Sequence, residues 1–193
     1  DQHFKLFVEK VFTHVDAANA WEVRHARNPE ALPEYGMYAK LAQRSWGHVI
    51  APTGVMLAAG FTLDSPEVHQ LQDFFRHYII AKQFCDDAHD WLDDLHNNRI
   101  TPVVVLLLKS CPAQDDIGRQ LYFWQETIDQ VNTIIREHLA RAQKVLDACQ
   151  FLLVKTEFQQ WLDSLEAACL QAERDRGAAR QFIRTFSTPS LVN

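Results

Sequence analysis

The sequence predicts an all-α fold, a bundle of antiparallel helices, and three observations carry that expectation. Apolar residues recur at helical spacing in nearly every segment. Only six Gly and seven Pro occur in 193 residues, too few for a strand-and-turn architecture. Several of those Pro stand where helices should start or stop, as in Ser65-Pro66-Glu67, Thr101-Pro102 and Cys111-Pro112. The length suits one domain with a real core.

The first helix is read from Phe4, Phe7, Val8, Val11 and Phe12, which share one face. It should end near Arg27-Asn28-Pro29. A second helix is expected from Pro33 to Gly60, kinked or broken at Pro52. Ser65-Pro66-Glu67 gives a cap, a first-turn Pro and an acid at the positive end of a third helix. That helix should run from Pro66 to His96 and stop at Asn97-Asn98-Arg99. A short apolar helix follows from Thr101-Pro102 to Cys111-Pro112. A long amphipathic helix starts at Asp115 or Asp116 and reaches Cys149. The last covers Lys155 to Arg174. Residues 1–186 form one domain, and 187–193 are expected to be a flexible tail.

Composition excludes several classes. The net charge of −6 gives no general attraction to nucleic acid or acidic membrane. The longest apolar run, Val103 to Leu108, is too short to span a bilayer, so no transmembrane segment is expected. Cys85, Cys111, Cys149 and Cys169 are widely spaced and read as free thiols in a reducing, cytoplasmic compartment. The chain opens at Asp1 without an initiator Met, as a processed, trimmed or partial chain would.

The chemistry lies in KQFCDDAHDWLDDLHNNRITP. At 100° per residue, Asp86, Asp90 and Asp94 fall within about 80° of arc, joined by Asp93 and Gln83. Ile80, Phe84, Ala88, Trp91 and Leu95 form the opposite, core face. One reading is a solvated acidic face. The other is a metal site, because Phe75 and Ile79 continue the same arc toward the N-terminus, as a cavity wall would. Hard oxygen ligands without a Cys cluster favour Mg²⁺, with Mn²⁺ as a substitute. Mg²⁺ keeps several waters and is commonly completed by phosphate, which suits a phosphate-bearing substrate. Lys40, Arg44 and His48, at i, i+4 and i+8, form a basic stripe able to hold a diphosphate, and Arg99 adds a cation beyond the acidic helix.

QFCDDAHD resembles the second aspartate-rich motif of trans-isoprenyl diphosphate synthases, with Gln83 three residues before Asp86, Asp87 and Asp90. The 1, 5, 9 spacing of Asp86, Asp90 and Asp94 is that of the second metal motif of class I terpene cyclases. Asp90, Asp94, Arg99 and Pro102 are similar to the second motif of squalene and phytoene synthases. YAKLAQRSWGHVIAP resembles the segment where this superfamily sets a Lys or Arg on the diphosphate.

The resemblance, over residues 34–102, is to the isoprenoid synthase superfamily. It implies an all-α bundle in which Mg²⁺ ionises a prenyl diphosphate, followed by coupling or cyclisation. Asp86, Asp87, Asp90 and Asp94 would be metal or catalytic residues. Arg44, Lys40 and Arg99 would hold diphosphate, and Phe75, Ile79 and Gln83 would line the cavity. The family's first aspartate-rich motif has no counterpart before Asp86. The chain thus matches a C-terminal half, to be completed by an N-terminal half or partner chain, or to form a homo-oligomer.

Two other classes stay open. A di-metal carboxylate bundle holding Fe or Zn would use Glu22-Val-Arg-His25, Asp86-Asp-Ala-His89 and Asp93-Asp-Leu-His96. A non-catalytic helical subunit of a prenyl synthase complex would bury the Val103–Leu108 helix against another chain. The five Trp read as mostly core, and Glu137, His138 and Glu157 as surface groups.

Overall fold

The computed structural model describes residues 2–26 and 43–187, and these are mostly helical with no strand among them. Helix α1 is Gln2–Ala26; a 3₁₀ segment, Gln43–Val49, leads into α2, Ile50–Ala58. Helix α3 is Pro66–His96 and α4 is Pro102–Ser110. Helix α5, Asp116–Tyr122, passes through a π-helical turn, Phe123–Thr127, into α6, Ile128–Ala148. Helix α7 is Thr156–Ser187.

The ends have local causes. Thr101 accepts from the Val104 amide at 3.4 Å and Asp115 from the Gly118 amide at 2.8 Å. Ser65 differs from its expected role: its hydroxyl donates to the Thr62 carbonyl at 2.6 Å and caps nothing. Pro52 lies in the first turn of α2, where its missing N–H has no partner to lose; the break expected there falls earlier, at the 3₁₀-to-α junction. Asn98 ends α3 at φ +54° and Gly60 follows α2 at φ +95°, both left-handed. Helix α7 continues past the expected Arg174 to Ser187, which takes that residue out of the expected tail.

Cross-helix pairs fix the packing. His77 meets His138 and Trp91 meets Phe123, so α3 runs antiparallel to α6 and its leading turn. Asn132 donates to the Cys169 carbonyl at 3.3 Å, and Arg136 bonds Glu166 and Glu173, so α7 returns antiparallel along α6. Arg176 closes on Asp129 at the far end. The shared core contains Phe74, Phe84, Trp91, Leu107, Phe123, Ile135 and Leu146. From α1, Phe7 and Val11 join it, whereas Phe12 faces out. Helix α4 is covered by its own chain: Val103, Val104, Val105 and Leu107 are buried, contrary to the expectation of an apolar face left for another subunit. All four cysteines are free thiols.

His138 corrects another expectation, because it is 7% exposed and lies in the α3–α6 seam. Its Nδ1 is 3.0 Å from Nδ1 of His77, an arrangement that requires at least one neutral ring. Burial pushes His138 down to about 4, helped by the neighbouring His77 and Arg141. Burial also lowers His77, opposed by Asp73 and reinforced by Arg141 and Arg76. A histidine pKa depressed on folding gives stability that is complete above the unfolded value and lost as pH falls toward the folded one. Wild type is therefore expected to lose about 2 kcal/mol between pH 6.5 and 4 that His138→Leu does not lose. Urea unfolding at both pH values checks this; parallel losses in the two proteins refute it.

Candidate functional site

Helix α3 turns its acids in two directions. Seen down the axis, Asp87 and Asp94 lie on the edge of the core face, with Asp90 just beyond them and Asp86 further round. The structure follows that order. Asp87 is 4% exposed and Asp94 is 7% exposed, while Asp86, Asp90 and Asp93 are in solvent. Asp86 binds Lys82, one turn back, at 2.6 Å. The line Asp86, Asp90, Asp94 thus straddles the boundary between solvent and protein, and the inward pair is Asp87 and Asp94.

Asp87 ends a polar chain that crosses three elements. Glu22 of α1 receives two hydrogen bonds from Nη1 of Arg44, at 2.6 and 2.7 Å. Nη2 of Arg44, in the 3₁₀ segment, donates to Oε1 of Gln83 at 3.2 Å. Nε2 of Gln83 donates to Oδ1 of Asp87 at 2.6 Å. The other carboxylate oxygen, Oδ2, is buried with no hydrogen-bond partner. Burial pushes Asp87 up to about 7; the Gln83 bond pulls the other way, and Asp94 adds to the rise. Asp94 is also raised by burial, against the opposing charge of Arg99, whose Nη1 stands 3.7 Å from Oδ1.

The other expected members fall as follows. Arg44 reaches the acidic face, but through Gln83 and with Glu22 already on it. Arg99 is exposed beside Asp94. Lys40 lies outside the described residues. Phe75 and Ile79, expected as cavity wall, are buried core: the Phe75 ring contacts Phe74, Phe158 and Trp161. Phe158 and Trp161 of α7 cover the Phe75 side of that arc.

Among the described residues, no three His, Cys, Asp or Glu side chains are grouped to hold a metal by themselves. Of the Glu-x-x-His pattern, Glu22 pairs with Arg44, His89 is exposed and His96 bonds Asp116 at 2.9 Å, while the His25 side chain lies outside the described residues. Sequence reading missed two features. Glu22 entered only as a possible metal ligand, and nothing in its spacing reports a partner 22 residues away. His138 follows the i, i+3, i+4 rhythm of Ile135, Leu139 and Ala142, which was the available sign of its burial.

The fold and site define a small helical bundle with a half-buried acidic helix face served by one buffered arginine. No protein-family model, curated protein or solved structure matches the chain.

Proposed function

We propose that this chain is the C-terminal half of an isoprenoid-synthase-type bundle, and that the Asp87, Asp90 and Asp94 face of α3 holds Mg²⁺ against a prenyl diphosphate. The observation that carries the reading is Oδ2 of Asp87, a buried carboxylate oxygen without a donor. Leaving such an atom unpaired is costly, and a hard cation is the partner its chemistry fits. Asp90 stands three residues from Asp87 and four from Asp94, so each neighbouring pair is about 5–6 Å apart at Cβ. A pair of protein ligands suits Mg²⁺, which retains waters and takes phosphate oxygens. The sequence resemblance supplies the substrate class.

Bound Mg²⁺ would neutralise the diphosphate and so favour its departure from an allylic carbon. The chain's own part is to hold and orient. Asp87 and Asp94 present oxygens from a poorly solvated edge, where charge interactions are strong. Arg99, exposed beside Asp94, would take a diphosphate oxygen. Arg44 keeps its Nε–H and one Nη2 hydrogen after its three bonds to Glu22 and Gln83. The first acidic motif and the apolar cavity would come from a preceding segment or partner chain.

Calorimetric titration with geranyl diphosphate, with and without Mg²⁺, tests the reading. Binding should require Mg²⁺ and weaken at least tenfold in Asp90→Ala and Asp94→Asn, the range typical of lost metal-site groups. Metal-independent binding, or binding indifferent to both substitutions, would sink it.

A further inference from the structure

We infer that Glu22 is a positioning residue of the α3 site: it holds Arg44 off Asp87 and so leaves Oδ2 of Asp87 open to a cation. The inference rests on the metal reading of that face. Arg44 is separated from Asp87 by a single side chain, Gln83, whose amide has a forced orientation. Its carbonyl end must face the guanidinium and its NH₂ end the carboxylate. A guanidinium this near a buried, unpaired carboxylate oxygen would be expected to close on it, because an Arg–carboxylate pair is among the strongest polar contacts available. Glu22 prevents that by offering both oxygens to Nη1, at 2.6 and 2.7 Å.

Without the Glu22 charge, Arg44 keeps only a neutral hydrogen bond to Gln83, and Asp87 becomes an attractive carboxylate. Arg44 then occupies Oδ2 as an internal counter-ion, using the lone pairs a metal needs. Glu22 touches neither metal nor substrate; it acts through Arg44. It also ties α1 to the acidic face, since Glu22 belongs to α1 and Gln83 to α3.

The test is a Mn²⁺ titration of the full chain, with free Mn²⁺ read by electron paramagnetic resonance. Asp87→Asn should weaken binding, which identifies the site. Glu22→Gln should weaken it about tenfold or more, the usual size of an outer-shell loss. The double variant Glu22→Gln with Arg44→Ala should recover it, because the competing cation is gone. Equally weak binding in the single and double variants makes Glu22 merely structural and overturns the inference. So does Asp87-dependent binding that Glu22→Gln leaves intact, and that outcome spares the metal reading. Binding that Asp87→Asn does not change overturns both. If Glu22→Gln does not fold, the shortened Glu22→Asp takes its place: weaker Mn²⁺ binding that Arg44→Ala restores supports the inference, and binding left unchanged, or weakened and not restored, overturns it.

Discussion

Asp87→Asn is expected to make the protein more stable at pH 8, by roughly 1–3 kcal/mol, while weakening its hold on divalent metal. The carboxyl moves from an ordinary 3.8 to about 7 on folding. An acid whose pKa rises on folding gives stability that is complete below the unfolded value and lost as pH rises through the folded one. The loss is about 1.4 kcal/mol per pH unit across that window. Asn removes the titration and still accepts from Gln83. Its buried NH₂ lacks a partner in place of Oδ2, which takes back about 1–3 kcal/mol. Urea unfolding at pH 5 and pH 8 is the measurement. The variant should gain on wild type as pH rises; a constant difference refutes the buried-carboxyl account. Saturating Mg²⁺ should narrow or reverse the gap, since only wild type keeps the charge. This acid and His138 act in opposite directions between pH 4 and 6.5, so each substitution exposes what the other group masks.

Phe74→Ala should cost about 3–5 kcal/mol, the usual range for deleting a buried aromatic. Phe74 is 1% exposed and lies at the centre of a ring cluster joining α3 to α7. Its centroid is 5.1 Å from Phe158, 5.6 Å from Phe75 and 6.1 Å from Tyr78, with Phe158 and Phe75 edge-on. Edge-on pairs add to the burial they share. Stability of about 5–15 kcal/mol is normal for a domain, so the loss takes a large part of it. Denaturant melts should show the midpoint falling without loss of cooperativity. A change below about 1 kcal/mol would mean that the α3–α7 contact is loose.

The helices were legible because their signals are local. Pro66 and Pro102 at first turns, Asn98 after His96 and Asp115 before Asp116 each announce a boundary within a few residues. The core faces of α3 and α6 follow from periodicity alone. The orientation of the acids was less legible. A wheel places Asp86 and Asp87 only 100° apart. That step sets Asp87 nearer the core face; what it leaves out is the chain of Glu22, Arg44 and Gln83 that reaches Asp87 from α1. The surroundings of Phe75 were illegible for the same reason: Phe158 and Trp161, against its ring, come from α7, some 80 residues later. His138 was lost because a histidine in an apolar stripe carries no mark of its interhelical partner.

The π-helical turn has a further consequence. Counting back from Ile128 in an unbroken α-helix, the residue one turn earlier on the buried face would be Trp124. The wider turn puts Phe123 there, 4.6 Å between centroids from Trp91, and leaves Trp124 part-buried. The segment 123–127 therefore carries one residue more than a regular helix needs. Removing one residue from 124–127 would let the rest of 116–148 form an even rod, with Phe123 one regular turn before Ile128, still facing Trp91, and α6 kept in register. Inserting a residue elsewhere in α6 would rotate everything beyond it by about 100° and turn His138 and Leu139 out of the seam. Length variation among relatives of this chain should accordingly gather at 123–127, the one stretch of the long helix that can absorb it without unseating the rest.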